Sequence, residues 1–133
     1  MIHVQINPSS GLPAYRQVMD QVRYYAASGV LKAGDQLPSI RELSRAIGVN
    51  PATIVKAYTE LEHEGAIEVK QGKGAFLAGL GAKALSAPQL RKALSASARA
   101  LAVQAAQMGA DADTVLDVLR GEMERLKHER DRD

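Results

Sequence analysis

The chain lacks cysteine and tryptophan altogether among its 133 residues. Without cysteine there is no disulfide framework, no cysteine-ligated zinc finger and no thiol nucleophile. A reducing compartment is compatible with that composition. Aromatic residues are scarce at 4%, so a core has to be assembled from Leu, Val, Ile and Ala within a hydrophobic fraction of 46%. No apolar run reaches the ~18 residues needed for a membrane span. The opening segment MIHVQINPSS has neither the basic region nor the apolar stretch of a secretory signal. A cytoplasmic location is therefore expected. An excess of one charge is missing too, since 17 basic and 15 acidic residues leave a net charge of +2. So even a balance produces no broad field for holding a polyanion. Any affinity for nucleic acid has to arise from where particular charges sit.

What the chain does have is concentrated in residues 37–77, LPSIRELSRAIGVNPATIVKAYTELEHEGAIEVKQGKGAFL. Ser39 and Glu42 form an S-x-x-E capping box, which predicts a helix starting at Ser39 with Leu43, Ala46 and Ile47 on one face. Gly48 ends it. Asn50 can cap a following helix, and Pro51 suits its first position, where a missing N–H costs nothing. Ile54, Ala57, Tyr58 and Leu61 recur at i, i+3, i+4, i+7 and predict one buried stripe. Gly65 closes that helix. Residues 66–70 alternate, with Ile67 and Val69 on one side, and 75–78 can return as a second strand around the turn Gln71-Gly72-Lys73-Gly74.

The flanks are simpler. Residues 2–6 alternate as a short extended segment, and Asn7 to Gly11 reads as a turn. Pro13 suits the first position of a helix carrying Tyr15, Val18, Val22 and Tyr25 or Ala26 inward, with Gly29 as its stop. Lys32 to Asp35 reads as a further turn. Gly79, Gly81 and Pro88 bracket a linker. Beyond it a helix over 88–108 aligns Leu90, Leu94, Ala98, Leu101, Ala105 and Met108. Gly109 stops it, and Asp111 can cap a last helix that aligns Val115, Leu116, Leu119, Met123 and Leu126.

The arrangement of helix, tight turn, helix and basic hairpin suits double-stranded DNA. With the 54/57/58/61 stripe inward, Ala52, Thr53 and Lys56 point outward or sideways, and small residues at the helix start admit it closely into a major groove. Thr53 and Asn50 can bond phosphate alongside the helix N-terminal N–H groups, and Lys56 can reach base or phosphate. Arg41, on the first turn of the preceding helix, can anchor the backbone, although a solvated arginine pairing with Glu42 or Glu60 is the plainer alternative. Glycines at the hairpin tip permit close approach, letting Lys73 enter a minor groove or touch phosphate.

The run Leu37-Pro38-Ser39, Arg41-Glu42-Leu43, Gly48-Val49, Thr53, Ala57-Tyr58, Leu61, Gly65 and Gly72-x-Gly74 resembles the DNA-binding domain of GntR-type transcriptional regulators, from about Pro13 through Leu77. The resemblance implies DNA contacts at Arg41, at the recognition-helix start (Asn50, Pro51, Ala52 and Thr53) and at the wing (Gln71, Gly72 and Lys73). Many relatives carry arginine where this chain has Pro51 and Val55, so their base preference does not transfer; Lys56 is our candidate substitute. The short remainder is similar to the YtrA-like subfamily, whose terminal helices mediate dimerisation. The implied architecture is mainly α with a small β-wing: a winged helix-turn-helix domain over 1–79, then a two-helix dimerisation hairpin over 80–133 that also has room to respond to an effector. A two-helix hairpin cannot bury both faces alone, so Leu90, Leu94, Leu101, Met108, Val115, Leu119 and Met123 are expected to meet a partner.

Three functional classes follow. The leading one is a homodimeric, sequence-specific regulator, more a repressor than an activator, on a pseudo-palindromic operator. It needs no cofactor and has double-stranded DNA and itself as partners. A small-molecule effector would have to sit at the dimer interface or between the domains. An architectural DNA protein with little sequence preference is the alternative, disfavoured by the weak net charge. An enzyme is disfavoured by three scattered histidines (His3, His63 and His128) and by the absence of a supporting catalytic motif; the Gly-Lys-Gly tip lacks both the spacing and the following helix of a phosphate loop.

Overall fold

The computed structural model describes residues 2–79 and 84–132. Its elements are α1 (Ala14–Ala27), α2 (Ile40–Ile47), α3 (Pro51–His63), β1 (Ile67–Lys70), β2 (Gly74–Leu77), α4 (Ala87–Met108) and α5 (Ala112–Arg130). They group into two compact units, Met1–Lys83 with Glu129–Asp133, and Ala84–His128. Gly81, expected within the linker, lies outside the described residues.

In the first unit, α3 is the central element, packed on α1, α2 and β1. Its predicted stripe is the core: Ile54, Ala57 and Leu61 are fully buried and Tyr58 nearly so. Val18 and Val22 of α1, Leu43 of α2, and Ile67, Ala75 and Leu77 of the hairpin close around it. Ile2 and Val4 join the core although residues 2–6 form no strand. The Gln21 side chain serves as their ladder, accepting from Gln5 N at 2.9 Å and donating to Gln5 O at 2.6 Å. Arg23 on α1 forks onto Glu64 past the end of α3, at 2.9 and 2.8 Å, and reaches Asp20 at 3.0 Å.

β1 and β2 pair antiparallel, with Ile67 opposite Leu77 and Lys70 opposite Gly74. Residues 34–37 lace along the outer edge of β2. Leu37 N donates to Ala75 O, Leu77 N to Asp35 O, and Gly34 N to Leu77 O, each at 2.8 Å.

Two sequence expectations shift. Pro13 is the N-cap of α1 rather than its first helical residue. Ala46 is exposed, because the inward face of the eight-residue α2 is narrow and is filled by Leu43 and Ser44. Val69 is on the same side of β1 as Ile67, as expected, and is half-exposed because the strand runs out past the core towards the hairpin tip.

In the second unit, α4 starts in a capping box of its own, Ser86 Oγ accepting from Gln89 N and Gln89 Oε1 from Ser86 N. Gly109 ends it in the left-handed region at φ 73°, and Asp111 Oδ1 caps α5 by accepting from Thr114 N at 2.9 Å. The two helices do not pack lengthwise against each other, and among their described residues only Ala105 is buried. Leu94 is 63% exposed, Met108 75% and Met123 65%. Leu90, Leu101 and Leu119 are exposed as well, and Val115 is half-buried.

Candidate nucleic-acid interface

The surface is built on α2. Ser39 Oγ accepts from Glu42 N at 3.0 Å, and Glu42 Oε1 accepts from Ser39 N at 3.1 Å, so the predicted capping box is complete. This fixes the first turn of α2, where Arg41 is exposed. Tyr58 ties that turn to α3 from below, its hydroxyl donating to Pro38 O at 2.7 Å. Burial, helped by the negative charge of Glu42, pushes that hydroxyl well above the ordinary tyrosine pKa. Buried Ser44 donates to Val49 O at 2.6 Å, and Gly48 takes φ 70°, which together set the tight turn between the helices.

At the start of α3, Asn50 Oδ1 accepts from Ala52 N at 2.9 Å. The cap occupies the oxygen of Asn50 and leaves its exposed amide nitrogen as a further donor. Pro51 and Ala52 are exposed, and Thr53 is half-buried. Lys56 is exposed, but its Nζ lies over the Tyr15 ring, 4.2 Å from the centroid. The cation is thus held on the α1 side of the helix by a cation–π contact. Val55, where many relatives carry arginine, is 45% exposed and shares the outer strip of α3. Its place was legible from its spacing of i+3 after Ala52 and i+4 after Pro51.

At the hairpin tip, Gln71, Gly72 and Lys73 are all exposed. Gly72 takes φ 74° and Gly74 φ 115°, conformations that L side chains rarely adopt. Gln36 steadies the tip from the lacing segment, its Nε2 donating to Lys73 O at 2.9 Å. A Cβ on Gly74 would meet that nitrogen at 2.8 Å, so the bare glycine makes room for the brace. Gln36 was not legible as a tip residue, because its 37-residue separation from Lys73 carries no local pattern.

The nine expected contact residues thus lie on one fold unit, in three places: the first turn of α2, the outer part of α3 and the tip of the hairpin. A capped helix-turn-helix with a glycine-tipped basic hairpin after its second helix is a winged helix-turn-helix, the architecture of a DNA-binding regulator. Residues 14–77 match the family model described as bacterial regulatory proteins, gntR family. Over 74 residues the chain is 46% identical to the HTH-type transcriptional repressor YtrA of Bacillus subtilis, covering 56% of this chain and 57% of that one. In structure it is similar to a Listeria monocytogenes protein described as a transcriptional antiterminator, with TM-score 0.78, 30% identity, and 94% and 92% of the two chains covered. It is also similar to YtrA of Sulfolobus acidocaldarius, a GntR-family transcription factor, with TM-score 0.55, 36% identity, and 73% and 97% covered. The AraR DNA-binding domain, solved in complex with operator ORX1, matches at TM-score 0.53 and 30% identity, covering 59% of this chain and all of that one.

The chain belongs to the GntR family and resembles its YtrA-like subfamily, a group of DNA-binding transcription regulators and not of enzymes. It spans about 57% of the length of the curated YtrA repressor it matches.

Proposed function

We propose that this protein is a homodimeric, sequence-specific repressor that occludes a promoter at a pseudo-palindromic operator and is released by a small-molecule effector. Residues 1–79 read the DNA and residues 80–133 pair two copies. It acts in the cytoplasm, in the same compartment as the DNA it binds. The observation that carries the DNA reading is the exposure, on one capped and braced unit, of Arg41, the α3 start and the Lys73 tip. The support for pairing is a pair of long helices, α4 and α5, whose apolar seams remain open to solvent. Exposed apolar surface on that scale marks an interaction site.

A two-fold dimer sets two recognition helices about 34 Å apart, in successive major grooves. With about four phosphate contacts per subunit, log K falls against log salt with a slope of about −7. Selection of bound DNA from a random pool by the purified protein tests the reading. A palindrome with half-sites one helical turn apart supports it. Binding that survives selection without any sequence enrichment favours the architectural alternative instead.

A further inference from the structure

On the outer strip of α3, Pro51, Ala52, Val55 and Thr59 follow one another at i, i+1, i+4 and i+8, and all four are exposed. None carries a charge or a long hydrogen-bonding side chain. Around the helix start the charges are displaced to the two sides of the strip; Glu62 joins it only near the C-terminal end of α3. Pro51 shares a shallow cleft with Arg41 and Arg45 of α2 on one side. Lys56 is held over Tyr15 on the other. An exposed valine in the middle of a helix is not there for the core, which Ile54, Ala57, Tyr58 and Leu61 already fill.

A strip with this chemistry cannot make the bidentate contact to guanine O6 and N7 that arginine or lysine makes. It presents methyl groups instead, and the one apolar group that a base pair offers in the major groove is the C5-methyl of thymine. We infer that Val55 is a specificity-determining residue that packs on a thymine methyl in each half-site, with Ala52 beside it allowing the close approach. Arg41 and Lys56 then serve the phosphates that flank the groove. This inference rests on the reading that α3 enters the major groove of an operator, and it adds what the helix recognises there.

The test uses the whole 133-residue chain and the operator recovered from random-pool selection. Each thymine is replaced in turn by deoxyuridine, which removes only the C5-methyl. Removing one buried methyl corresponds to about a fourfold loss of affinity, or about fifteenfold when both half-sites are changed together. The wild-type protein is expected to lose that much at one thymine per half-site. Val55→Ala is expected to bind the thymine operator about as weakly as wild type binds the uracil operator, and to be indifferent to uracil at that position. Val55 is exposed and alanine favours helix, so this variant folds.

If no thymine shows a methyl effect, or if Val55→Ala keeps the full effect, the inference is overturned. The parent reading fails separately, when Arg41→Ala, Lys73→Ala and Val55→Ala all leave operator affinity unchanged. Val55→Arg provides an independent check: its selected half-site should exchange the thymine for a guanine at or next to the same position, and retention of the original site would count against the assignment.

Discussion

Replacing Tyr58 by Phe removes one buried hydroxyl from beneath the interface. Its oxygen donates to Pro38 O at 2.7 Å, the residue is 4% exposed, and Pro38 is itself buried. The substitution deprives a buried carbonyl of this donor, at a cost of about 1–3 kcal/mol. Taking about 1.5 kcal/mol, and about 4–8 °C per kcal/mol for a unit of this size, the melting temperature at neutral pH should fall by about 6–12 °C. The same hydroxyl makes the difference depend on pH. Burial raises its folded pKa above the unfolded value near 10, so the folded state favours the protonated form. That stability is fully present below about pH 10 and is lost as pH rises from there towards the folded value, at about 1.4 kcal/mol per pH unit. Tyr58→Phe has no such loss, and groups common to both proteins cancel in the difference. The gap between the two proteins should therefore hold from pH 7 to about 10 and close near pH 11. Circular-dichroism melts of both proteins across that range measure it. A gap that stays constant through pH 11 would refute the desolvation argument, and no gap at pH 7 would refute the hydrogen-bond argument.

Further outcomes follow from the same structure. Arg41→Ala and Lys73→Ala should each weaken operator binding and, in a dimer, flatten the salt slope by about two, with melting temperature unchanged; anisotropy titrations at several salt concentrations read both. Leu94→Asp with Leu101→Asp should convert micromolar dimers to monomers in sedimentation velocity, and a wild-type protein that sediments as a monomer would remove the pairing role of α4 and α5. Gln36→Met keeps the bulk of the side chain but loses the donor to Lys73 O, so it should weaken DNA binding in the wild-type background and have no effect in Lys73→Ala, a coupling that a double-mutant cycle reports. Arg23→Met breaks a fork whose partners are both more than a third exposed, so denaturant midpoints should register at most about 1 kcal/mol, and less at high salt.

The helix-turn-helix was legible because its signals are local. The Ser39–Glu42 box, the Asn50-Pro51 start, the Gly48 stop and the 54/57/58/61 stripe each need no more than two turns of chain to be recognised. The Ser86–Gln89 box was equally readable by the same rule, and it places the start of α4 one residue earlier than the spacing of leucines did. What was not legible comes from distant parts of the chain meeting. The approach of Tyr15 to Lys56, the fork from Arg23 to Glu64 and the brace from Gln36 to the tip all join residues some forty positions apart. Alternation placed Val69 on the side of Ile67, but its exposure was not legible, because alternation tells which side of a strand a residue faces and not how far the core extends beneath it.

The lacing of residues 34–37 onto β2 has a consequence for association with DNA. The same short segment runs directly into Pro38 and Ser39 at the head of α2, so the Arg41 turn and the Lys73 tip are fastened to a common backbone rather than joined by a flexible loop. A hairpin that waved freely would surrender its conformational entropy each time it met a duplex, at about 1–2 kcal/mol for each residue ordered. Here that ordering is completed when the chain folds. On the proposed reading, α3 and the wing meet the duplex preformed, and the free energy of contact goes into the DNA contacts instead of into organising the protein.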